Sequence, residues 1–485
     1  MNKLKRRQFI VLGAAGAGLA LASNWLISKN RSTLARDAEI TSPQLYKSAN
    51  GLLEVELEAS YRSVQLGGNT ASLLSYNGTI PGPRLEVNAG DTVRINFTNN
   101  LSQPTNLHYH GPHIPPTGSG DNIFLDIAPG DRFTYEFTIA KDHPAGLSWY
   151  HPHRHGYVAE QVFGGLAGLF VIRGDLDRIP EVQTAKEEFF VLQDFDLDRN
   201  GQMQTLNPMA RSFGREGNVI ALNGQIAPEI SIPNDRFLRL RLLNASTSRF
   251  YRLALTNNHP MYLIATDGGG IAEPVEISEL LMAPGERAEV LIRGEREPKT
   301  YELLNLPYDR GGMGMMGRGN MMGGFTSNNN RVLATLTCQG SVPKLSLPKQ
   351  LITVNNLPEP ITTRQFVLNH GMAPGMGMVF LVNGQPYEPD RIDTRVKLGT
   401  VEDWELINNG VMDHPFHLHV NPFQVISRND VPEPYQAWRD TVLVRAGETV
   451  RIRIPFRDFA GKTVYHCHIL DHEDMGMMGN LEIQA

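Results

Sequence analysis

Residues Tyr76–Asn99 read YNGTIPGPRLEVNAGDTVRINFTN, and the same plan returns twice, as LNGQIAPEISIPNDRFLRLRLLN from Leu222 and VNGQPYEPDRIDTRVKLGTVEDWELIN from Val382. Each copy has an Asn-Gly pair, a Pro soon after, a polar turn, and then a run that closes on Asn. A second marker recurs as IAPGDRFTYEFTI, MAPGERAEVLIRG and RAGETVRIRIPF. The Asn-Gly pairs lie 146 and 160 residues apart, a domain-sized period rather than that of a solenoid. After each turn apolar and polar residues alternate. Val93, Ile95 and Phe97 share one face, as do Leu238, Leu240 and Leu242, and Val450, Ile452 and Ile454, with Arg between. A period of two with one buried face is the strand signature. Many short strands separated by Gly, Pro and Asn turns predict β-sandwiches. No stretch shows comparable helical periodicity, so the chain reads as all-β. Three tandem domains follow, over residues 41–180, 181–345 and 346–485, with joints near 175–188 and 340–360.

The length of 485 residues agrees with about three domains. A net charge of −6 offers nothing to a nucleic acid. Cys338 and Cys467 form at most one disulfide, and both can equally be free. No run is long and apolar enough for an ordinary membrane span. The N-terminus, KLKRRQFIVLGAAGAGLALAS, sets the twin arginine Arg6-Arg7 before a short Gly/Ala-rich apolar run, with a small-residue cleavage site near Ala22. This reads as a twin-arginine export signal within residues 1–40. It predicts the twin-arginine machinery as a partner and a periplasmic or other extracytoplasmic location.

Histidine carries the chemistry. LHYHG holds His108 and His110; WYHPHRHG holds His151 and His153, with His155 beyond. DHPFHLH holds His414, His417 and His419, and HCHILDH holds His466, His468 and His472. In a strand, residues i and i+2 point the same way, so each His-x-His offers two imidazoles to one place. Imidazole suits Cu, Zn, Ni and Fe alike. Two clusters lie in the first repeat and two in the third, while the middle repeat has only His259. A metal site is therefore expected where the first and third domains meet, with the second as a spacer. Cys467, between His466 and His468, faces the other way and serves a different metal. A thiolate with two imidazoles and a long thioether is a blue-copper electron-transfer site. Cys467, His472, His414 and Met477 can supply it, and the backbone then wires one copper site to another.

With LHYHG, WYHPHRHG, HPFHLH and HCHxxxHxxxxM in this order, the chain from about residue 45 to its end resembles the three-domain multicopper oxidases. The resemblance implies cupredoxin-like Greek-key domains and four copper ions. By position, type 1 copper takes His414, Cys467, His472 and axial Met477, and type 2 copper takes His108 and His417. The type 3 pair takes His110, His151 and His468 on one ion and His153, His419 and His466 on the other. Such enzymes take single electrons from a reductant at type 1 copper and reduce O2 to water at the trinuclear cluster. Glu473 and Asp121 match the positions of the family's proton donors, and O2 reduction needs general acids within reach.

The ligands do not name the reductant. Five methionines lie in GGMGMMGRGNMMGG (311–324) and three in HGMAPGMGM. Thioether sulfur selects Cu(I), whereas a Gly-rich flexible loop tolerates methionine without using it. The cuprous oxidases of the family resemble this chain at Met412, two before His414, but carry Asp where Gly410 stands; Asp413 or Asp474 can substitute. The reading is a laccase-like oxidase of phenols and aromatic amines with some activity on Cu(I), the alternative a dedicated cuprous oxidase. A non-catalytic exported structural factor of cell division, or a copper store, is the alternative of another class.

Overall fold

A computed structural model describes residues 40–204, 208–233, 235–294, 299–311, 330–338, 345–373 and 377–485. The twin-arginine segment and Met313–Met322 of the Met-rich stretch lie outside the described residues. The described chain is built of strands in six sheets that pair into three sandwiches. The first sandwich sets a five-stranded sheet, with Gly146–His151 beside the edge strand His108–His110, against a four-stranded one. The middle one joins a six-stranded sheet containing Phe237–Asn244 and Arg287–Arg293 to a five-stranded sheet. In the third, Gly461–Cys467 and His414–Leu418 are neighbours in a five-stranded sheet facing a seven-stranded one.

The repeated motif has a repeated structure. Asn77, Asn223 and Asn383 all have φ near 50°, at 51°, 49° and 52°, and each is followed by a glycine of positive φ. Only Gly and Asn take this conformation routinely. Each Asn side chain then accepts an N–H from the first long strand of its own domain, from Glu58, Val191 and Val367. The closing residues Asn99, Asn244 and Asn408 each donate through Nδ2 to two carbonyls, one of the following loop (Gln103, Arg249, Met412) and one of a distant segment (Ile127, Met282, Val444). Their backbones meet the second marker: Gly130, Gly285 and Gly447 donate N–H to the carbonyls of those three asparagines. In each copy the strand that closes the motif runs parallel to a long strand ahead of it, as Thr92–Asn100 does with Leu52–Ser60, Phe237–Asn244 with Lys186–Phe195, and Thr400–Asn408 with Thr362–Ala373.

Val93, Ile95, Phe97, Val450, Ile452 and Ile454 are all fully buried, as alternation predicts. The strand Phe237–Asn244 departs from it, because Arg239 and Arg241 are buried too. Its outer face is covered by charged groups that pair with them: Arg239 bonds Glu289 and Asp177, and Arg241 bonds Glu187 and forms an ion pair with Glu289. Arg173 of the first sandwich reaches the same Glu187. A local period of two cannot report a face covered by another domain.

Candidate metal centres

Within the third sandwich, Phe416 lies opposite Cys467 and His417 opposite His466. Side chains alternate across these strands, so Cys467 turns into the apolar core while His466 turns away from it. Cys467 Sγ lies 3.5 Å from His414 Nδ1 and 3.9 Å from His472 Nδ1. His472 is carried by the short helix Leu470–Asp474. The loop behind it is closed by Cys467 N–H donating to the Met477 carbonyl at 3.0 Å, and Met477 N–H to that of His472 at 2.9 Å. Met477 is fully buried in the same core as Cys467. Burial pushes the Cys467 thiol up, lowers His414 to about 3 and holds His472 well below its ordinary value. A buried thiol between two neutral imidazoles gives up its proton only to a cation that replaces it.

Eight further histidines converge between the first and third sandwiches. His466 Nε2 has His153 Nε2 at 3.1 Å and His419 Nε2 at 3.0 Å, and His108 Nε2 has His417 Nε2 at 3.4 Å. The rings of His110, His151 and His468 lie 5.1 to 5.9 Å apart, centroid to centroid. His110 Nδ1, His151 Nε2 and His468 Nε2 are buried without a partner. The opposite ring nitrogens are held from behind: His417 Nδ1 by the Asp440 carbonyl at 2.8 Å, His151 Nδ1 by that of Pro152 and His466 Nδ1 by that of Cys467. Such outer bonds fix the tautomer and turn the other nitrogen inward. Burial, first among the causes, holds His108, His110, His153, His417, His419 and His468 well below the ordinary imidazole range. Neutral rings with facing lone pairs have no packing reason to meet. Only the His108–His110 pair lies wholly on a strand; His153, His419 and His468 stand just beyond strand ends.

Both sequence-flagged carboxylates are at this cluster. Asp121 Oδ1 lies 2.7 Å from His108 Nδ1 and accepts the Tyr109 N–H, while Oδ2 is 3.4 Å from His419 Nδ1. Burial raises Asp121 to about 8, against the lowering effect of the Tyr109 bond. Glu473, fully buried, has Oε2 3.1 Å from His466 Nδ1 and Oε1 3.5 Å from His153 Nε2. A third carboxylate, Asp440, was missed: its Oδ1 is 2.9 Å from His110 Nε2. It opens the strand segment DTVLV with no histidine nearby in sequence, so nothing local marks it. The middle domain is more than a spacer. Its Gly285 packs so closely that a Cβ there would lie 2.7 Å from His468 Cδ2.

Around His414 the sequence reading needs correction. The oxygens of Asp413 are taken by Tyr308 Oη at 2.6 Å and Ala446 N–H at 2.9 Å. Those of Asp474 accept the N–H groups of Gly156 and Ala159. Neither is free to stand in for a carboxylate at Gly410. The space over Gly410 instead faces His370 Nδ1, 3.8 Å from the position of a Cβ, and His414 Nε2 at the same distance. His370 Nδ1 is buried and unpartnered. On the same hairpin Met372 sits opposite Met378, and His370 opposite Phe380, whose ring stacks on His472 at 3.7 Å. Gly311, where the Met-rich stretch begins, forms a β-bridge with Met412.

Profiles described as multicopper oxidase match residues 58–177, 192–320 and 355–485. The chain is 28% identical over 470 residues to the multicopper oxidase mco of Staphylococcus aureus, covering 94% of each. It is equally 28% identical, over 490 residues, to the cell division protein FtsP of Xenorhabdus nematophila, covering 99% of this chain and 98% of that one. Its structure is similar to that of a multicopper oxidase from Campylobacter jejuni, described as a metallo-oxidase. The TM-score is 0.83 at 33% identity, over 93% of this chain and 96% of that one. A repeated sandwich, a buried thiol between imidazoles and three profiles that together span most of the sequence lead to one conclusion: the chain belongs to the multicopper oxidase family.

Proposed function

We propose that the protein oxidises a small reductant one electron at a time beside His414 and delivers the electrons to O2, which it reduces to water. The observation that carries this reading is the divergence of neighbours at Cys467. Its sulfur faces His414 and His472, while His466, bonded to it through the backbone, faces His153 and His419. The donor sets fit copper: one buried sulfur with two imidazoles, and buried unpartnered nitrogens for the remaining ions. His414, Cys467, His472 and Met477 would hold type 1 copper, and His108 and His417 type 2. His110, His151 and His468, and His153, His419 and His466, would hold the type 3 pair. Copper at these positions supplies one-electron transfer and the place where O2 is reduced.

The chain's own residues do the rest. Burial raises Asp121, and its carboxylate lies between His108 Nδ1 and His419 Nδ1, a position from which a general acid can act. Glu473 stands between His153 and His466, a placement suited to a general acid. Trp149, fully buried, stacks on His151 at 4.1 Å and holds its ring in place. Near His414 in sequence Val411 is exposed, and so is Met372 on the hairpin that carries His370. Exposed apolar side chains suit phenols and aromatic amines, and a thioether with His370 suits Cu(I). Export by the twin-arginine route to the periplasm is part of the proposal. A structural role without copper would leave the buried imidazoles and thiol without a purpose.

The test is Cys467→Ser in the copper-loaded protein. The intense blue absorption and all oxidation of substrate are expected to vanish while the trinuclear copper stays. A blue band that survives the substitution refutes the assignment.

A further inference from the structure

Arg287 has a charged side chain with no exposed surface, and it belongs to the middle domain. All of its donor groups are used. Nη1 donates to Asp440 Oδ1 at 2.7 Å and Nη2 to Asp440 Oδ2 at 2.5 Å, a bidentate clamp. The remaining donors go to the carbonyls of Gly285, Asp267 and Leu147, at 3.1, 3.1 and 3.0 Å. The guanidinium thus ties together a strand of the first domain, a turn of the second and Asp440 of the third. Asp440 in turn holds two of the histidines. Its Oδ1 accepts from His110 Nε2 at 2.9 Å, and its backbone carbonyl accepts from His417 Nδ1 at 2.8 Å. The other nitrogen of each ring, His110 Nδ1 and His417 Nε2, is thereby the one left to face the cluster.

Comparison within the chain argues that this is a built feature. The position after the marker turn is Arg132 in the first domain and Thr449 in the third. Arg132 is exposed and Thr449 is half-buried. Beside Gly130 and Gly447 a Cβ would meet nothing within 4 Å, whereas Gly285 abuts the His468 ring. Two of the three copies carry an arginine here, and only the copy whose turn is docked onto the histidine cluster buries it.

We propose that Arg287 is a positioning residue of the trinuclear centre. Its planar fork locks the Asp440 carboxylate, and the locked carboxylate fixes the tautomer and tilt of His110 and the backbone that orients His417. An ammonium has the charge but not the fork. The inference rests on the reading of His110 and His417 as copper ligands. Outer groups of this kind are worth about tenfold to a hundredfold in metal affinity.

The experiment compares full-length wild type, Arg287→Met and Arg287→Lys. It reads copper per chain, the electron paramagnetic resonance signal of type 2 copper, the blue absorption and the thermal unfolding of the metal-free proteins. Arg287→Met is expected to lose trinuclear copper affinity about tenfold to a hundredfold while the blue band persists. Arg287→Lys, which keeps the buried charge and so the fold, is expected to bind copper with an altered type 2 signal. A purely structural arginine would lower the unfolding temperature and leave that signal unmoved in Arg287→Lys, which overturns the inference. Wild type that binds blue copper alone overturns both the inference and the ligand reading beneath it.

Discussion

Gly285→Ala tests how closely the middle domain is fitted to the histidines. The new methyl would lie 2.7 Å from His468 Cδ2, 2.8 Å from Nε2 and 2.9 Å from Cγ, and ordinary contact begins at 3.4 Å. The ring is fully buried, so it must retreat by about 0.7 Å, beyond the roughly 0.5 Å that a preorganised site tolerates. The backbone adds a second cost, since Gly285 has φ +83°. An L-residue there costs about 1–2 kcal/mol, and overpacking about 1–3 kcal/mol more. Gly130→Ala and Gly447→Ala are built-in controls, with φ of 87° and 74° and empty space at the Cβ. They incur the backbone cost alone. Denaturant unfolding of the metal-free proteins reads the stability difference. Copper content and turnover read the site, where Gly285→Ala is expected to lose about a hundredfold in turnover with its blue band intact. If Gly285→Ala matches the two controls in trinuclear copper and in turnover, the docking of this turn has no functional meaning.

Deleting 311–324 removes soft sulfur that starts at the Met412 bridge, so it is expected to cut Cu(I) oxidation while sparing oxidation of a small organic dye; equal, modest losses on both would reduce the stretch to a loop. Glu473→Gln keeps size but cannot deliver a proton, and is expected to slow the reaction of fully reduced enzyme with O2 by about a hundredfold or more. Rapid mixing reads this, and an unchanged rate excludes Glu473 as the acid. The metal-free protein is expected to be acid-labile. Burial puts His151 and His414 at about 3 in the folded chain, below the unfolded value of 6.5. Between those values the unfolded chain binds the extra protons, so stability is complete above about pH 6.5 and falls by about 1.4 kcal/mol per pH unit for each ring below it. Thermal unfolding that stays flat from pH 6.5 to 4 contradicts this.

Much of the fold was legible because the sequence repeats its own turn chemistry. Asn-Gly marks each turn, the closing Asn marks each strand end, and alternation marks the buried faces of Val93–Phe97 and Val450–Ile454. Legibility failed where one domain covers another. Arg239 and Arg241 alternate like surface residues, yet Asp177, Glu187 and Glu289 bury them. Asp440 and Arg287 carry no local signal, since their importance comes from a contact across 153 residues of sequence. The histidine clusters were visible because His-x-His spacing is itself the chemistry. Their placement past strand ends was not, because the bend that turns His153, His419 and His468 inward depends on partners elsewhere in the chain.

Strand register decides which donors serve which centre. In the pair His414–Leu418 and Gly461–Cys467, Phe416 stands opposite Cys467 and His417 opposite His466. On one face Phe416 and Cys467 look into the apolar core with His414 beside the sulfur; on the other, His417 and His466 look toward the first domain. A slip of one residue would set Cys467 opposite His417 and send the sulfur to the wrong face. The apolar residues around Cys467 therefore do two things at once. Phe416, Tyr465 and Ile469 supply the burial that stabilises the sheet, and that same burial forbids the slip that would scramble the donors. Because adjacent residues of one strand point oppositely, a sulfur and an imidazole on two different centres stay joined by a single stretch of backbone. The shortest covalent route between the proposed electron donor site and the proposed O2 site is thus a consequence of β-pleat, and it persists for as long as the core holds the register.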